Sequence, residues 1–487
     1  MSTTTDDNPI DAYVWRISAV VIIGSIMSIL DTTIVNVALD TLGRELHATI
    51  ANIQWVATGY MLALAAVIPV TGWAARRFGA KRVYLVSLVL FTAGSALCGL
   101  ATSSTELILF RVLQGVGGGM ILPIGQLMMA EAAGPKRMGR VMSVVAVPAM
   151  LAPVLGPTMG GLILENASWR WIFYVNLPIG IIAVIAALRF LPTVARQRTE
   201  RLDFLGLALM ATGVPLITYG LTEVGVSGGF TSAKVVIPFF AGLALVTVFT
   251  LHALRIPRPL LNVRLYRRPS FSSASIAMFC IGAALFGGMI LLPYYWQAIR
   301  HESVVTTGLL TAPQGLGAAL IMPLSGKLSD RFGGGPLSLL GVIIISVATL
   351  PFALIGAHTS ILWLCIAMVV RGMGIGFAFM PAMAAAFASL KRSELSDATP
   401  QLNVLQRVGG SMGIALLTVV LQRSLVGSHT LAAQASAYGT AFWASIGLTV
   451  AAVIPCVILM RTERAARRAR TVGATPGDDV LAEPVAA

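Results

Sequence analysis

Fourteen stretches of this chain are each long and apolar enough to cross a bilayer, which takes ~20 mostly apolar residues. They lie near 14–38, 54–74, 82–102, 105–129, 139–163, 170–191, 203–222, 234–255, 271–296, 304–326, 336–356, 360–383, 399–421 and 439–460, and are numbered here span 1 to span 14. Together they take up most of the 487 residues, so no room remains for a sizeable soluble domain. The composition agrees: 11% of residues are charged, where a soluble domain carries about 25%. A soluble enzyme is excluded, and the expected fold is an all-α integral membrane bundle.

The formal net charge of +14 invites a nucleic-acid reading, but the placement of the basic residues argues against it. With the N-terminus inside, Arg44, Arg170, Lys234, Arg300 and Arg423 fall outside and Arg111, Arg371 and Arg407 fall within spans. The remaining basic residues sit on cytoplasmic ends or loops. That is the positive-inside bias, and it orients the chain. An even number of spans then puts both termini in the cytoplasm, and Arg461, Arg464, Arg467, Arg468 and Arg470 after the last span fit that. The excess charge is topology, with a small contribution to anionic-lipid contact. The first apolar stretch is too long for a signal peptide and contains Asp31, so it is expected to be retained. Cys98, Cys280, Cys365 and Cys456 lie in apolar spans without C-x-x-C spacing and read as packing residues.

An internal repeat organises the rest. Gly72-Trp-Ala-Ala-Arg-Arg-Phe-Gly79 follows span 2, and Gly326-Lys-Leu-Ser-Asp-Arg-Phe-Gly333 follows span 10. Arg111 heads a glycine-rich stretch in span 4, and Arg371 heads another in span 12. Both echoes are eight spans apart. An even offset keeps the same side of the membrane, so the repeats are parallel, about an axis along the membrane normal. Eight rather than six means two spans are inserted. The expected organisation is a cytoplasmic tail (1–12), a six-helix bundle (13–191), a two-helix insert with its linkers (192–270), a second six-helix bundle (271–460) and a C-terminal tail (461–487). The segments 192–202 and 256–270 read as basic interfacial linkers, and 1–12 and 465–487 as polar, disordered ends.

Asp31 is the one acidic residue deep within a span. A carboxylate there costs several kcal/mol unless paired, hydrated or protonated. Its helical neighbours Gly24, Met27, Ser28 and Val35 form a small, partly polar face that suits a hydrated cavity, so Asp31 is a candidate proton carrier. The competing reading is an ion pair that never titrates. Arg111 near mid-depth cannot deprotonate and must be paired or solvated. A water-filled cavity joining it to Asp31 is one expectation, and a structural hub bonded to backbone carbonyls is the other. Arg371 mirrors Arg111 by the repeat, yet no acid in span 9 mirrors Asp31. Arg407, near Asn403 and Gln406, either faces a cavity or snorkels to the interface.

The stretches LDTTIVNVAL (30–39), GWAARRFGAKR (72–82), LILFRVLQGVGGG (107–119), APVLGPTMGGLI (152–163) and WRWIFYVNLPIG (169–180) occur in order on successive spans. DFLG (203–206) and RVGGSMG (407–413) follow. With these the chain resembles the major facilitator superfamily, in particular its fourteen-helix drug:proton antiporter branch. The resemblance implies two parallel six-helix bundles around a central cavity plus two inserted helices. It also implies a proton-linked acid at Asp31 and an R-x-x-Q-G element at Arg111, Gln114 and Gly115. Where the family pattern after Asp31 usually ends in proline, this chain has Asp40. Where the first loop usually carries aspartate, it has Arg76; the second copy keeps the acid as Asp330.

Expected gating residues are Gly72, Arg76, Arg77 and Gly79 in the first loop and Gly326, Asp330, Arg331 and Gly333 in the second. Gly156, Pro157, Gly160 and Gly161 of span 5 are expected at a rocking interface between the halves. Candidate substrate-facing side chains are Tyr60, Gln126, Tyr294, Tyr295, Gln297, Asn403 and Arg407. Core or aromatic-belt packing is the competing reading for each, and topological anchoring for the loops. Gly409-Gly-Ser-Met-Gly413 matches a nucleophile elbow only in letters, since it lies in a span without a partnered base. The five histidines lack metal-ligand spacing, and no ATP-binding P-loop sequence occurs.

The expected function is export of hydrophobic or amphipathic small molecules against inward proton flow, by alternating access in a bacterial inner membrane. No cofactor is expected beyond the proton gradient, and the partners are substrate, protons and lipid. A periplasmic adaptor stays open as a further partner in a two-membrane envelope. The alternatives are export of a specific metabolite, siderophore or lipid, and a non-transporting scaffold or sensor in which Asp31→Asn would be silent.

Overall fold

The structure is a computed structural model and describes residues 11–134, 137–192, 201–227 and 229–473. Thirteen helical segments are long and apolar enough to cross a membrane. They are Ala12–Glu45 (span 1), Asn52–Phe78 (span 2), Ala80–Leu100 (span 3), Ser104–Ala133 (span 4), Trp171–Phe190 (span 6), Phe204–Gly225 (span 7) and Ala233–Arg255 (span 8). After the insert come Pro269–Ala298 (span 9), Val305–Phe332 (span 10), Gly334–Ala353 (span 11), Ile361–Ala388 (span 12), Arg392–Leu425 (span 13) and Leu431–Ala465 (span 14). A 29-residue helix, Met138–Asn166, stands where span 5 is expected. The chain is therefore a multi-pass, all-helical membrane protein. Spans 2, 4, 10 and 14 share a capping device that the apolar pattern does not reveal. Thr49, Ser103, Ser303 and Thr430 each accept the backbone N–H three residues on, satisfying donors that a helix start leaves orphaned.

Span 4 packs on spans 2 and 3, and span 1 on spans 4, 5 and 6. In the second half span 12 packs on spans 10 and 11, and span 9 on spans 12, 13 and 14. Glycines set how closely these rods approach, as expected where lipid offers no hydrophobic drive and small residues admit van der Waals contact. A Cβ on Gly115 would lie 2.7 Å from the carbonyl oxygen of Tyr60, and one on Gly94 would lie 2.8 Å from Cα of Gln114. Spans 2 and 3 are thereby drawn against span 4 at the level of Arg111 and Gln114.

Two seams join the halves. Span 5 runs against span 10, and span 13 meets span 4 and the Ile68–Phe78 part of span 2. The inserted spans flank the second seam. Span 7 packs on spans 2 and 13, with Trp55 and Tyr219 stacked at 6.0 Å and Gln422 Nε2 donating to the Gly225 carbonyl at 2.9 Å.

The stretch 256–270, expected as an interfacial linker, is a folded strap: Leu260, Leu261 and Leu265 are buried. Arg268 also makes a two-pronged bond to Glu394, at 2.7 Å on each prong. The last helix continues to Gly473, so 465–473 is ordered, because the apolar stripe simply gives way to an arginine-rich helical turn. The rest of the expected tails, 1–10 and 474–487, and residues 193–200 of the first linker lie outside the described residues.

Candidate functional site

The deepest polar cluster is built from five helices, spans 1, 2, 3, 4 and 6. Asp31 (span 1), Arg111 and Gln114 (span 4) and Asn176 (span 6) are all buried. Arg111 Nη1 donates to Asp31 Oδ2 at 2.6 Å and to Gln114 Oε1 at 2.8 Å. Gln114 Nε2 and Asn176 Nδ2 each donate to Asp31 Oδ1 at 2.9 Å. Asn176 Nδ2 also reaches Ser95 Oγ at 3.1 Å, and Ser95 in turn donates to the Phe173 carbonyl at 2.9 Å. Arg111 Nε donates to the Val56 carbonyl at 3.2 Å, and its guanidinium carbon lies 4.0 Å from the centre of the Tyr60 ring. The expected water-filled cavity between Asp31 and Arg111 is therefore replaced by a direct ion pair. The reason is that span 1 packs directly on span 4, with Gly125 against Val21 and Gly24 against Ile121, which leaves no layer between the two side chains.

Both acid oxygens are met, and the cation has a carboxylate, an amide, a carbonyl and a ring face. Charges taken out of water survive only with such complete pairing. Asn176 and Ser95 were not singled out by the sequence, although Asn176 stands in the quoted WRWIFYVNLPIG stretch. An asparagine inside an apolar span was the signal available.

This constellation sits where the resemblance puts the family's proton-linked acid. The sequence matches the Major Facilitator Superfamily over residues 21–414. The chain belongs to the major facilitator superfamily. It is similar to the "Multidrug resistance protein B homolog" of Mycobacterium tuberculosis, 39% identical over 415 residues, covering 85% of this chain and 77% of that one. It is also similar to the "Multidrug export protein EmrB" of Haemophilus influenzae, 30% identical over 416 residues, covering 84% of this chain and 80% of the relative. Among solved structures, the human organic anion transporter MFSD10 has the same fold, with a TM-score of 0.67 at 14% identity, over 92% of this chain and 99% of that one. Membership of this superfamily implies a transporter rather than an enzyme, with small-molecule substrates and the membrane as its partners.

In this superfamily member both glycine-bounded loops tie the halves together at one face. Gly79 (φ 88°) and Gly333 (φ 99°) take the turns, in a backbone region that residues with a Cβ rarely adopt. Arg76 Nη1 reaches Asp397 Oδ1 at 2.5 Å and Ser396 Oγ at 2.7 Å, both at the start of span 13. A Cβ on Gly72 would collide with the Ser396 carbonyl. At the second loop, Gly139 N–H donates to Asp330 Oδ1 at 2.9 Å, and Arg140 Nε lies 3.7 Å from Asp330 Oδ2. Gly326 abuts Gly139 and Arg140. Of the other two expected gating arginines, Arg77 is exposed, and Arg331 is exposed with its guanidinium 5.2 Å from the Phe332 ring. Each follows the pairing residue on the helix and is turned outward.

The span 5 glycines divide. Gly156 faces Thr33 and Gly160 faces Ile34, both of span 1 in the same half, while Gly161 faces Val305 of span 10. Only Gly161 thus stands at the seam between halves, because a helix rotates about 100° per residue and the other two point inward. The side chain of Pro157 lies outside the described residues.

The candidate substrate residues also divide. Gln126 and Asn403 meet across the second seam, Asn403 Nδ2 donating to Gln126 Oε1 at 2.7 Å. Tyr60 is buried between Arg111 and Ser28, its hydroxyl 3.4 Å from Ser28 Oγ. Arg407 is partly buried. Tyr294 and Gln297 are exposed, one helical turn apart. Tyr295 is packed in the second half against Trp296 and Tyr438, its hydroxyl donating to the Gly356 carbonyl at 2.8 Å.

Proposed function

We propose that this transporter exports hydrophobic or amphipathic small molecules in exchange for protons, across a bacterial inner membrane with both termini in the cytoplasm. The observation that carries the coupling is the buried Asp31–Arg111 pair at 2.6 Å, an ionisable carboxylate held at membrane depth. Intramembrane acids of this kind mark proton relays. The printed names of the two bacterial relatives supply the drug-export part, and the basic face supplies the orientation.

Protonating Asp31 removes the charge that Arg111, Gln114 and Asn176 hold together. Span 4 bears Arg111 and, four turns further along, Gln126, which bonds to Asn403 of the other half. A change in the pair therefore acts on a helix that also touches the second seam. Tyr60 contacts Arg111, so a ligand beside it would meet the coupling pair. The ties through Arg76 and Asp330 close the basic, cytoplasmic face, leaving the opposite side as the one from which a proton reaches Asp31 and substrate leaves. Loss of the proton inward resets the pair.

The test is ethidium efflux under an imposed pH gradient, comparing wild type with Asp31→Asn at equal membrane abundance. Gradient-driven efflux that disappears in the variant supports the reading. Efflux that persists unchanged removes Asp31 from the coupling role.

A further inference from the structure

The hydrogen bonds around Asp31 leave one acceptor unused. Asn176 is buried on span 6, and its Nδ2 donates to Asp31 Oδ1 at 2.9 Å and to Ser95 Oγ at 3.1 Å. Its own Oδ1 has no hydrogen-bond partner. Gln114 is the other amide on Asp31 Oδ1, also at 2.9 Å. Its oxygen is engaged: Gln114 Oε1 accepts from Arg111 Nη1 at 2.8 Å and from Cys98 Sγ at 3.6 Å. Two amides thus donate to one carboxylate oxygen. One of them is tied at its oxygen end and the other is free there.

A carboxylate only accepts hydrogen bonds, whereas a carboxylic acid has one O–H to place. Asp31 Oδ2 faces Arg111 Nη1 at 2.6 Å, a donor that keeps its proton at any accessible pH, so the O–H forms at Oδ1. There it meets two N–H donors and no acceptor, and a buried donor left unmade is expensive. Turning the Gln114 amide would break its bonds to Arg111 and Cys98. Turning the Asn176 amide by half a turn about χ2, a broad two-fold torsion, breaks no bond at its oxygen and brings Oδ1 round to the Asp31 hydroxyl. We propose that Asn176 is a positioning residue for the proton step, its amide donating to the charged Asp31 and turning to accept from the protonated one. The inference rests on Asp31 being the proton carrier. The arriving proton forms the O–H bond at Oδ1, the amide supplies the acceptor, and no other group changes its protonation. Ser95 keeps its own bond to the Phe173 carbonyl at 2.9 Å throughout. The other titratable groups around the pair offer Oδ1 no acceptor. Cys98 of span 3 spends its proton on Gln114, and Tyr60 of span 2 presents its ring to Arg111. Spans 5 and 6 carry charged residues only at their ends.

Infrared difference spectra between acid and alkaline pH, taken on the detergent-purified full chain, read this step without transport. The C=O stretch of protonated Asp31 should appear in wild type and be lost in Asp31→Asn. Its frequency reports the hydrogen bonding of the acid group. In Asn176→Leu the band should move up, because the hydroxyl has lost its acceptor. Asn176→Ser, whose hydroxyl can accept, should keep it near the wild-type position. A second measurement leaves the native side chains in place. In wild-type protein carrying asparagine isotopically labelled at its side-chain carbonyl, one labelled amide band should differ between the two states and vanish in Asn176→Ser. An Asp31 band that titrates but stays in place or moves down in Asn176→Leu overturns the proposal alone, and so does a labelled spectrum in which no asparagine amide changes with the Asp31 band. The absence of any Asp31 band across the pH range overturns it together with the coupling reading.

Discussion

Arg76 and Asp397, bonded at 2.5 Å, are the charge-reversed counterpart of Asp330 and Arg140 across the repeat. Asp330 stands 254 residues after Arg76, and Asp397 stands 257 after Arg140. Each pair links a glycine-bounded loop to the first turns of a span in the other half. The placement of the pair repeats between the seams, as a direct hydrogen bond in the first and at 3.7 Å in the second, while the sign of the charges is exchanged, so an aspartate replaced by arginine in the first loop still leaves a tie that closes the face.

Exchanging the charges of the first pair should therefore be tolerated. Arg76→Asp alone and Asp397→Arg alone place like charges together and should weaken closure of the basic face. The double variant should regain most of wild-type efflux. The pair is partly exposed, so a coupling energy of about 1 kcal/mol is expected. Labelling of cysteines introduced on the opposite face reads the shift: both single variants protect them, and the double variant restores access.

Gly72 and Gly326 admit backbone from the other half where no Cβ fits. Gly72→Val or Gly326→Val should hold the basic face apart and cut efflux at least tenfold, while the protein remains in the membrane. Alanine should do less at Gly326, where the nearest atom, Cα of Arg140, lies 2.8 Å from the Cβ position, than at Gly72, where the Cβ would collide with the Ser396 carbonyl. Equal efflux in all four variants would show that the face never separates along these seams.

The spans, the repeat and the deep residues Asp31 and Arg111 were legible because lipid makes hydropathy and intramembrane charge unambiguous. Which side chains converge was less so. Asn176 and Ser95 are polar residues of ordinary kinds whose role appears only once spans 3 and 6 are docked. Tyr295 and Tyr294 are adjacent in sequence, yet one is packed and the other exposed, a difference of helix rotation that one apolar span does not disclose. The water-filled cavity was expected because an isolated carboxylate needs water. The glycines that let Arg111 reach it directly could be read only as packing residues.

Asp203, at the foot of span 7, offers a pH-dependent clamp outside the membrane. It accepts from Gly206 N–H at 2.8 Å and Leu260 N–H at 3.2 Å, and contacts His252 Nε2 at 2.9 Å. Burial pushes its carboxyl up, but those bonds outweigh it and hold the group below the usual carboxylate range. A depressed carboxyl contributes stability above its unfolded value of about 3.9 and loses it as pH falls through the folded value. Asp203→Asn should lower the thermal midpoint at neutral pH, and the gap to wild type should narrow below about pH 4. A gap that is constant down to pH 3 would show that the bonds do not depend on the charge.

The final prediction separates what the Asp31–Arg111 pair does for folding from what it does for coupling. Arg111→Gln leaves the Asp31 charge buried without its cation, which costs about 3–5 kcal/mol where a buried pair is broken on one side. Asp31→Asn leaves the arginine in the same position. The double variant Asp31→Asn/Arg111→Gln buries no net charge, and its amides can still bond to Gln114 and Asn176, so most of the lost thermal stability should return. Proton-driven efflux should not return, because no group at that depth can then exchange a proton. Recovery of stability without transport would assign the coupling to the ionisable carboxylate. Recovery of both would make the pair a packing element and move the proton pathway elsewhere in the chain.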